Sequence, residues 1–149
     1  MLNLMQHERR FHVVTASENE EVMGFVSYWT FQQFCYIEHL AVDTPQRCRG
    51  VGSGLVCHVA AIGLPLLLEV EPPVDEATCR RIRFYEQLGL VLHDDIAYVQ
   101  PPYAPGKPSV PMLLMTSRGM AGEGILEAIA TLRSEVYHAQ NDDQKTALF

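Results

Sequence analysis

Alternation of apolar and polar positions marks the first part of the chain as strands. Phe11 to Ala16 alternates, Ser17 to Glu21 is a polar turn, and Val22 to Phe31 (VMGFVSYWTF) is rich in β-branched and aromatic residues. The pair predicts an antiparallel hairpin. Tyr36 to Val42 reads as a third strand, ended by Asp43-Thr44-Pro45 because proline fixes φ and has no N–H to donate. Periodicity then changes: from Val51 to Ile62, Leu55, Val59 and Ile62 recur at helical spacing, a face suited to lie on a sheet, and Gly63 ends the helix.

Leu64 to Val70 (LPLLLEV) is almost continuously apolar, as expected of a strand covered on both faces, and Pro72-Pro73 stops it. Asp75 is placed to cap a helix from Glu76 to Leu88, with Gly89 just beyond its end. Val91 to Val99 and Val110 to Thr116 form a closing hairpin around the Pro/Gly loop Gln100 to Ser109. A last helix, Glu123 to His138, carries Ile125, Ile129, Leu132 and Val136 on one stripe, followed by a polar, frayed tail over 139–149. Met1 to Arg10 reads as a loose leader or a helix end. Two successive strand–helix units point to βαβ crossovers in a mixed α/β fold, and 149 residues without repeat or linker predict one domain, with its core over about 11–117.

Between the third strand and its helix lies Arg47-Cys48-Arg49-Gly50-Val51-Gly52-Ser53-Gly54. Glycines let successive N–H groups turn toward one point, the following helix adds the positive end of its dipole, and two arginines add full charge. That describes a cradle for phosphate or pyrophosphate. A dinucleotide fingerprint would need glycine where Leu55 stands, and a Walker loop would need a lysine that is absent here. A plain glycine turn leading into a core helix remains the other reading of the loop. The pattern Arg/Gln-x-x-Gly-x-Gly/Ala, met by Arg47, Gly50 and Gly52, resembles the acyl-coenzyme A pyrophosphate loop of the GNAT superfamily of N-acetyltransferases.

A second motif stands in its own expected context: Arg83-Phe84-Tyr85-Glu86-Gln87-Leu88-Gly89-Leu90 resembles the Phe-Tyr-x-x-x-Gly-Phe signature that ends the fourth helix of that family. The resemblance spans roughly Phe11 to Ser117. It implies a largely antiparallel sheet with a splayed central strand pair, helices on both faces, and acetyl-CoA as co-substrate without a metal. It also implies that the backbone of Leu40, Ala41 and Val42 binds the pantetheine, and that Arg47, Cys48, Arg49, Gly50, Val51, Gly52 and Ser53 surround the pyrophosphate. Thr78 stands where many members have an asparagine that contacts the coenzyme, and Arg81 breaks a face that is alanine-rich in the family. Only ten residues precede Phe11, where the family places a strand and two helices that wall the acceptor site, so another segment or subunit is expected to supply that wall or it is missing.

Composition narrows the partners. A net charge of −7 argues against nucleic acid, whose recognition relies on lysine and arginine, and suits a cationic acceptor or simple solubility. Cys35, Cys48, Cys57 and Cys79 lack metal or redox spacing and read as thiols of a reducing compartment; Cys48, between two arginines, has the setting of a reactive thiol. No apolar stretch approaches the ~20 residues of a membrane span. These features predict a cytoplasmic protein acting on a small-molecule or peptide amine, without nucleic acid or membrane partners; a homodimer is compatible with them.

Acyl transfer to an amine requires a neutral nucleophile, a polarised carbonyl and a proton source for the leaving thiolate. Glu38 lies two residues before Leu40 on the same strand face, and a carboxylate there is either a general base acting through water or a partner of the neighbouring strand. His39 points the other way. By the family motif Tyr85 is the general acid, with a phenol close enough in pKa to a thiol to need no large shift; a core tyrosine is the alternative. Glu69 and Glu71 are candidates for binding or deprotonating a cationic acceptor, which leaves Glu71 a rival to Glu38 as base, or for pairing with Arg80, Arg81 or Arg83. Tyr98 and Tyr103 are candidate lid residues or plain loop residues. Two further readings stand beside the enzyme: a catalytically silent acyl-CoA-binding module, and a partner-binding domain that uses the C-terminal helix stripe.

Overall fold

The computed structural model describes residues 9–43, 50–102 and 106–137. Its contacts group the chain into two compact units, Met1–Leu68 and Glu69–Phe149. Among the described residues six strands and three α-helices form the mixed α/β architecture expected, with antiparallel pairing predominant. None of the helices among the described residues is long and apolar enough to cross a membrane.

In the first unit, β1 (Phe11–Glu18), β2 (Glu21–Thr30) and β3 (Cys35–Val42) form an antiparallel meander. The connection between β1 and β2 is tighter than the polar residues suggest. Only Asn19 and Glu20 lie outside the strands, both with positive φ (52° and 66°), the two-residue geometry whose twist matches paired strands. Helix α1 (Val51–Ala60) packs on β1, β2 and β3 through Leu55, Val56 and Val59. The expected face included Ile62, but the helix stops before it, and Ile62 is exposed while Val56 is buried. The start of β4 (Leu66–Val70) pairs parallel with β3 over Cys35–Ile37 and Leu66–Leu68. Leu66, Leu67, Leu68 and Val70 are all buried, as the continuous apolar run requires.

In the second unit, helix α2 (Glu76–Gln87) starts at the Asp75 cap and is followed by Gly89 at φ 93°. Strands β5 (Leu90–Gln100) and β6 (Val110–Ser117) form the closing hairpin, with strand order β4-β6-β5. Three extra residues of β5 loop out between His93 and Tyr98. Helix α3 (Gly122–Thr131) runs into a π-helical turn over Leu132–Val136. That turn adds a residue to the repeat, so the stripe of Ile125, Ile129 and Leu132 ends on buried Tyr137 instead of the half-buried Val136 that regular spacing selects.

Candidate functional site

β3 has the length and the pairing of a strand with one edge released. Its ladder to β2 continues through Val26–Leu40, Phe25–Ala41 and Gly24–Val42, whereas its ladder to β4 covers only Cys35–Ile37. Beyond Ile37 no pairing of β3 with β4 is present among the described residues, a condition that the backbone role anticipated for Leu40, Ala41 and Val42 requires. Gly24 is the residue that lets β2 follow β3 so far. A Cβ there would lie 2.7 Å from the Ala41 carbonyl oxygen.

The chain re-enters the described structure at Gly50, the N-cap of α1, with φ 82° and ψ 7°. This left-handed conformation is ordinary for glycine and costly for other residues. Gly50 accepts the first helical bond from the Gly54 amide at 2.9 Å, and among the described residues no side chain caps the helix and no acid lies in its first turn. The N–H groups of Val51, Gly52 and Ser53 therefore stand at a helix terminus without protein acceptors from a cap. Arg47, Cys48 and Arg49 lie outside the described residues.

Glu38 sits on a β-bulge. Ile37 pairs with Tyr28 and His39 with Ser27, so Glu38 is the extra residue and has no cross-strand partner. Its side chain is 11 % exposed, and its Oε1 accepts the indole N–H of Trp29 at 2.6 Å. Oε2 lies 3.8 Å from Nδ1 of His39, which is itself mostly exposed and 3.3 Å from the Ser27 hydroxyl. The neighbouring-strand contact foreseen as the structural explanation of this carboxylate is thus present, and it uses one oxygen of two.

Tyr85 lies on the last turn of α2 with its ring buried edge-on against Phe84, 5.0 Å between centroids. Burial pushes its phenol up to about 12, and the Arg81 guanidinium only partly opposes this. A near-ordinary phenol, as the sequence suggested, is therefore not what this environment produces. Among the described residues no group hydrogen-bonds the Tyr85 hydroxyl, and none of their fully buried side-chain oxygens or nitrogens lacks a partner. The hydroxyl oxygen is consequently not fully sealed from solvent.

Thr78 is occupied differently. It forms a reciprocal capping box with Asp75: the Thr78 amide donates to Asp75 Oδ1 at 2.8 Å, and the Asp75 amide donates to Thr78 Oγ1 at 3.1 Å. The Val74 amide donates to the same Oγ1 at 3.0 Å, and the hydroxyl donates to Asp75 Oδ1 at 2.8 Å. Its single proton is committed to the cap, which leaves a coenzyme no side-chain donor at this position. Those bonds to its charged form hold the Asp75 carboxyl below the usual range.

Glu69 gathers a cluster that spacing along the chain does not reveal. Its carboxylate accepts from the Tyr98 hydroxyl, from Gln100 Nε2 at 3.1 Å and from the Tyr137 hydroxyl at 2.8 Å. Tyr98 and Tyr137 are buried. Tyr98 is thus a strand residue turned inward and not part of a lid, while Tyr103 lies outside the described residues. Glu71 pairs with Arg81 at 3.5 Å on the surface, one of the two outcomes foreseen for it, and such exposed pairs contribute little. Among the described residues no cluster of His, Cys, Asp or Glu could hold a metal. Trp29, Gln100 and Tyr137 were not singled out from the sequence. Only the indole N–H and the buried phenol, donors that require partners, hinted at them.

A family model described as the acetyltransferase (GNAT) family matches residues 2–90, a stretch that contains β3, Gly50, α1 and Tyr85. A solved structure described as a putative GNAT-family acetyltransferase from Bacteroides thetaiotaomicron is 34% identical, with a TM-score of 0.80, covering 91% of this chain and 77% of that one. The "Putative acetyltransferase YjbC" of Bacillus subtilis (strain 168) is 29% identical over 118 residues, 76% of this chain; the match spans 60% of that relative. The ribosomal-protein-S18-alanine N-acetyltransferase of Escherichia coli shares the fold at TM-score 0.57 and 22% identity, covering 82% of this chain and 78% of that one.

Proposed function

Because the chain belongs to the GNAT acetyltransferase family, we propose that it transfers an acetyl group from acetyl-coenzyme A to an amine. The observation that carries this reading is the course of β3. Its second edge is released after Ile37, and the chain then returns at left-handed Gly50 and the uncapped first turn of α1. An edge that can take an extended amide chain, followed by N–H groups at a helix terminus, fits pantetheine and pyrophosphate in that order. No metal is required by this chemistry.

In this reading the backbone of Leu40 to Val42 holds the pantetheine and donates an N–H to the thioester carbonyl, stabilising the charge that develops there. Glu38 keeps Oε2 for a water that removes the ammonium proton, while Oε1 stays with Trp29. Tyr85 hydrogen-bonds the departing sulfur. With its phenol at about 12, full transfer to a thiolate of ordinary pKa would be uphill by roughly 3.5 units, ~5 kcal/mol. Donation of the hydrogen bond, with solvent completing protonation, is therefore the form its acid role takes. Glu69, which accepts from two phenols and an amide, acts as a structural carboxylate, and Glu71 is a surface partner of Arg81.

The Trp29 contact favours a second reading for one residue, in which Glu38 is structural and the acceptor loses its proton to solvent. Both readings predict coenzyme binding. The test is calorimetry with acetyl-CoA, followed by thiol release with a panel of amines: an alanine-starting peptide, an aminoglycoside and a polyamine. Binding with amine-dependent thiol release supports the transferase. Binding without release by any amine of the panel favours the silent module, and no binding removes the coenzyme from the account.

A further inference from the structure

We propose that Trp29 is a positioning residue for Glu38, aiming the carboxylate by its indole N–H; the inference rests on the reading of Glu38 as the base. The bulge deprives Glu38 of a cross-strand partner, so backbone pairing alone does not fix the direction of its side chain. What fixes it is a 2.6 Å bond from Trp29 Nε1 to Oε1, slightly shorter than the roughly 2.7–2.9 Å usual for an N–H donated to a charged oxygen. The indole is itself immobilised. It is 5 % exposed, and the rings of Phe11 and Phe31 lie 5.2 and 6.1 Å from it, the second nearly parallel.

Indole has one donor and no acceptor, so it can hold one carboxylate oxygen and cannot compete for the acceptor's proton. The other oxygen is left for the water. Titratable groups stand on the elements around this pair, among them buried Tyr28, Cys35 and Tyr36 on β2 and β3 and exposed Glu18 and Glu21 at the far ends of β1 and β2. His39 Nδ1 is 3.8 Å from Oε2, His12 on β1 is turned to Thr30 at 3.1 Å, and Cys57 and His58 of α1 are exposed. Arg10, before β1, lies over the Phe31 ring at 5.5 Å. Of these, His39 approaches the oxygen that Trp29 does not hold.

The chain has a single tryptophan, so its one indole N–H signal in a nitrogen–proton NMR spectrum assigns itself. In the wild type that proton should resonate far downfield; it should move upfield in Glu38→Gln and further in Glu38→Ala. An unmoved signal overturns the contact. With the panel amine of highest turnover, Trp29→Phe should lower kcat roughly tenfold, as expected when a reacting group is loosened by a fraction of an ångström, and leave the KM for acetyl-CoA within about twofold. Benzothienylalanine at position 29 keeps the bicycle and deletes only the N–H, so it serves if the phenylalanine variant does not fold. A slow Glu38→Gln beside fully active position-29 variants overturns positioning and leaves the base intact. A fully active Glu38→Gln removes the base, and the positioning role with it.

Discussion

Replacing Gly24 by alanine probes the strand pair on which coenzyme binding depends. The added methyl would lie 2.7 Å from the Ala41 carbonyl oxygen and 3.2 Å from the Val42 Cα, where ordinary contact begins at 3.4 Å. Both atoms belong to backbone already fixed in the β2–β3 ladder, and the Asp43 amide bonded to Met23 at 2.8 Å fixes its end. No flexible side chain is available to yield, so the strands must separate. Overpacking of this kind costs ~1–3 kcal/mol, and for a chain of about 150 residues each kcal/mol lowers Tm by ~2–4 °C. We expect Gly24→Ala to lose about 2 kcal/mol in urea unfolding, on the order of 4–8 °C in Tm, with faster hydrogen exchange at the Asp43 amide. Because Ala41 and Val42 are the residues displaced, acetyl-CoA affinity should fall by roughly tenfold, ~1.4 kcal/mol. A Tm within about 1 °C of wild type, with unchanged exchange at Asp43, would show that the ladder is not closed at this point.

Other changes test separate parts of the structure. Tyr137→Phe removes a 2.8 Å bond to the Glu69 carboxylate and leaves the ring, so stability should fall by ~1.5–3 kcal/mol in urea; an unchanged midpoint would detach the C-terminal turn from Glu69. Gly50→Ala meets no atom within 4 Å but must adopt φ 82°, a strain of ~1–2 kcal/mol. Calorimetry should therefore show acetyl-CoA binding weakened more than unfolding, and equal losses would make Gly50 merely a turn. Burial raises the Tyr85 phenol from its ordinary 10.0 to about 12, so the stability that comes from keeping it neutral is fully present below pH 10 and is lost as pH rises through 12. Wild type should lose stability relative to Tyr85→Phe between pH 9 and pH 11 in urea titrations; parallel curves would refute the burial effect.

Local chemistry made much of the fold legible. The β-rich runs, the helical spacings, the Pro72-Pro73 break, the Asp75 cap and Gly89 marked the described strands and helices to within a few residues, the end of the last helix excepted, because periodicity and punctuation are properties of neighbouring residues. What spacing missed came from single-residue irregularities. The bulge at Glu38 and the π-helical turn after Thr131 each shift a repeat by one position, which is why Val136 was selected and Tyr137 is buried. Ile62 failed for a simpler reason, since the helix ended before reaching it. Partners were harder than positions. A sequence shows that Glu38 and Glu69 are carboxylates on strands, but the Trp29 donor depends on register across a bulge. The Tyr98, Gln100 and Tyr137 donors come from β5 and the C-terminal turn, far along the chain. Tyr85 was legible as a candidate only through its motif.

The measurement that bears most directly on the account is single-turnover acetyl transfer by wild type and Tyr85→Phe, with acetyl-CoA binding of both checked by calorimetry. The variant keeps the buried ring and loses only the hydroxyl, so binding should be retained within about threefold while the transfer rate falls ~10²-fold or more. Equal transfer rates in two proteins that bind the coenzyme equally would contradict the assignment of Tyr85 as the donor to the leaving sulfur.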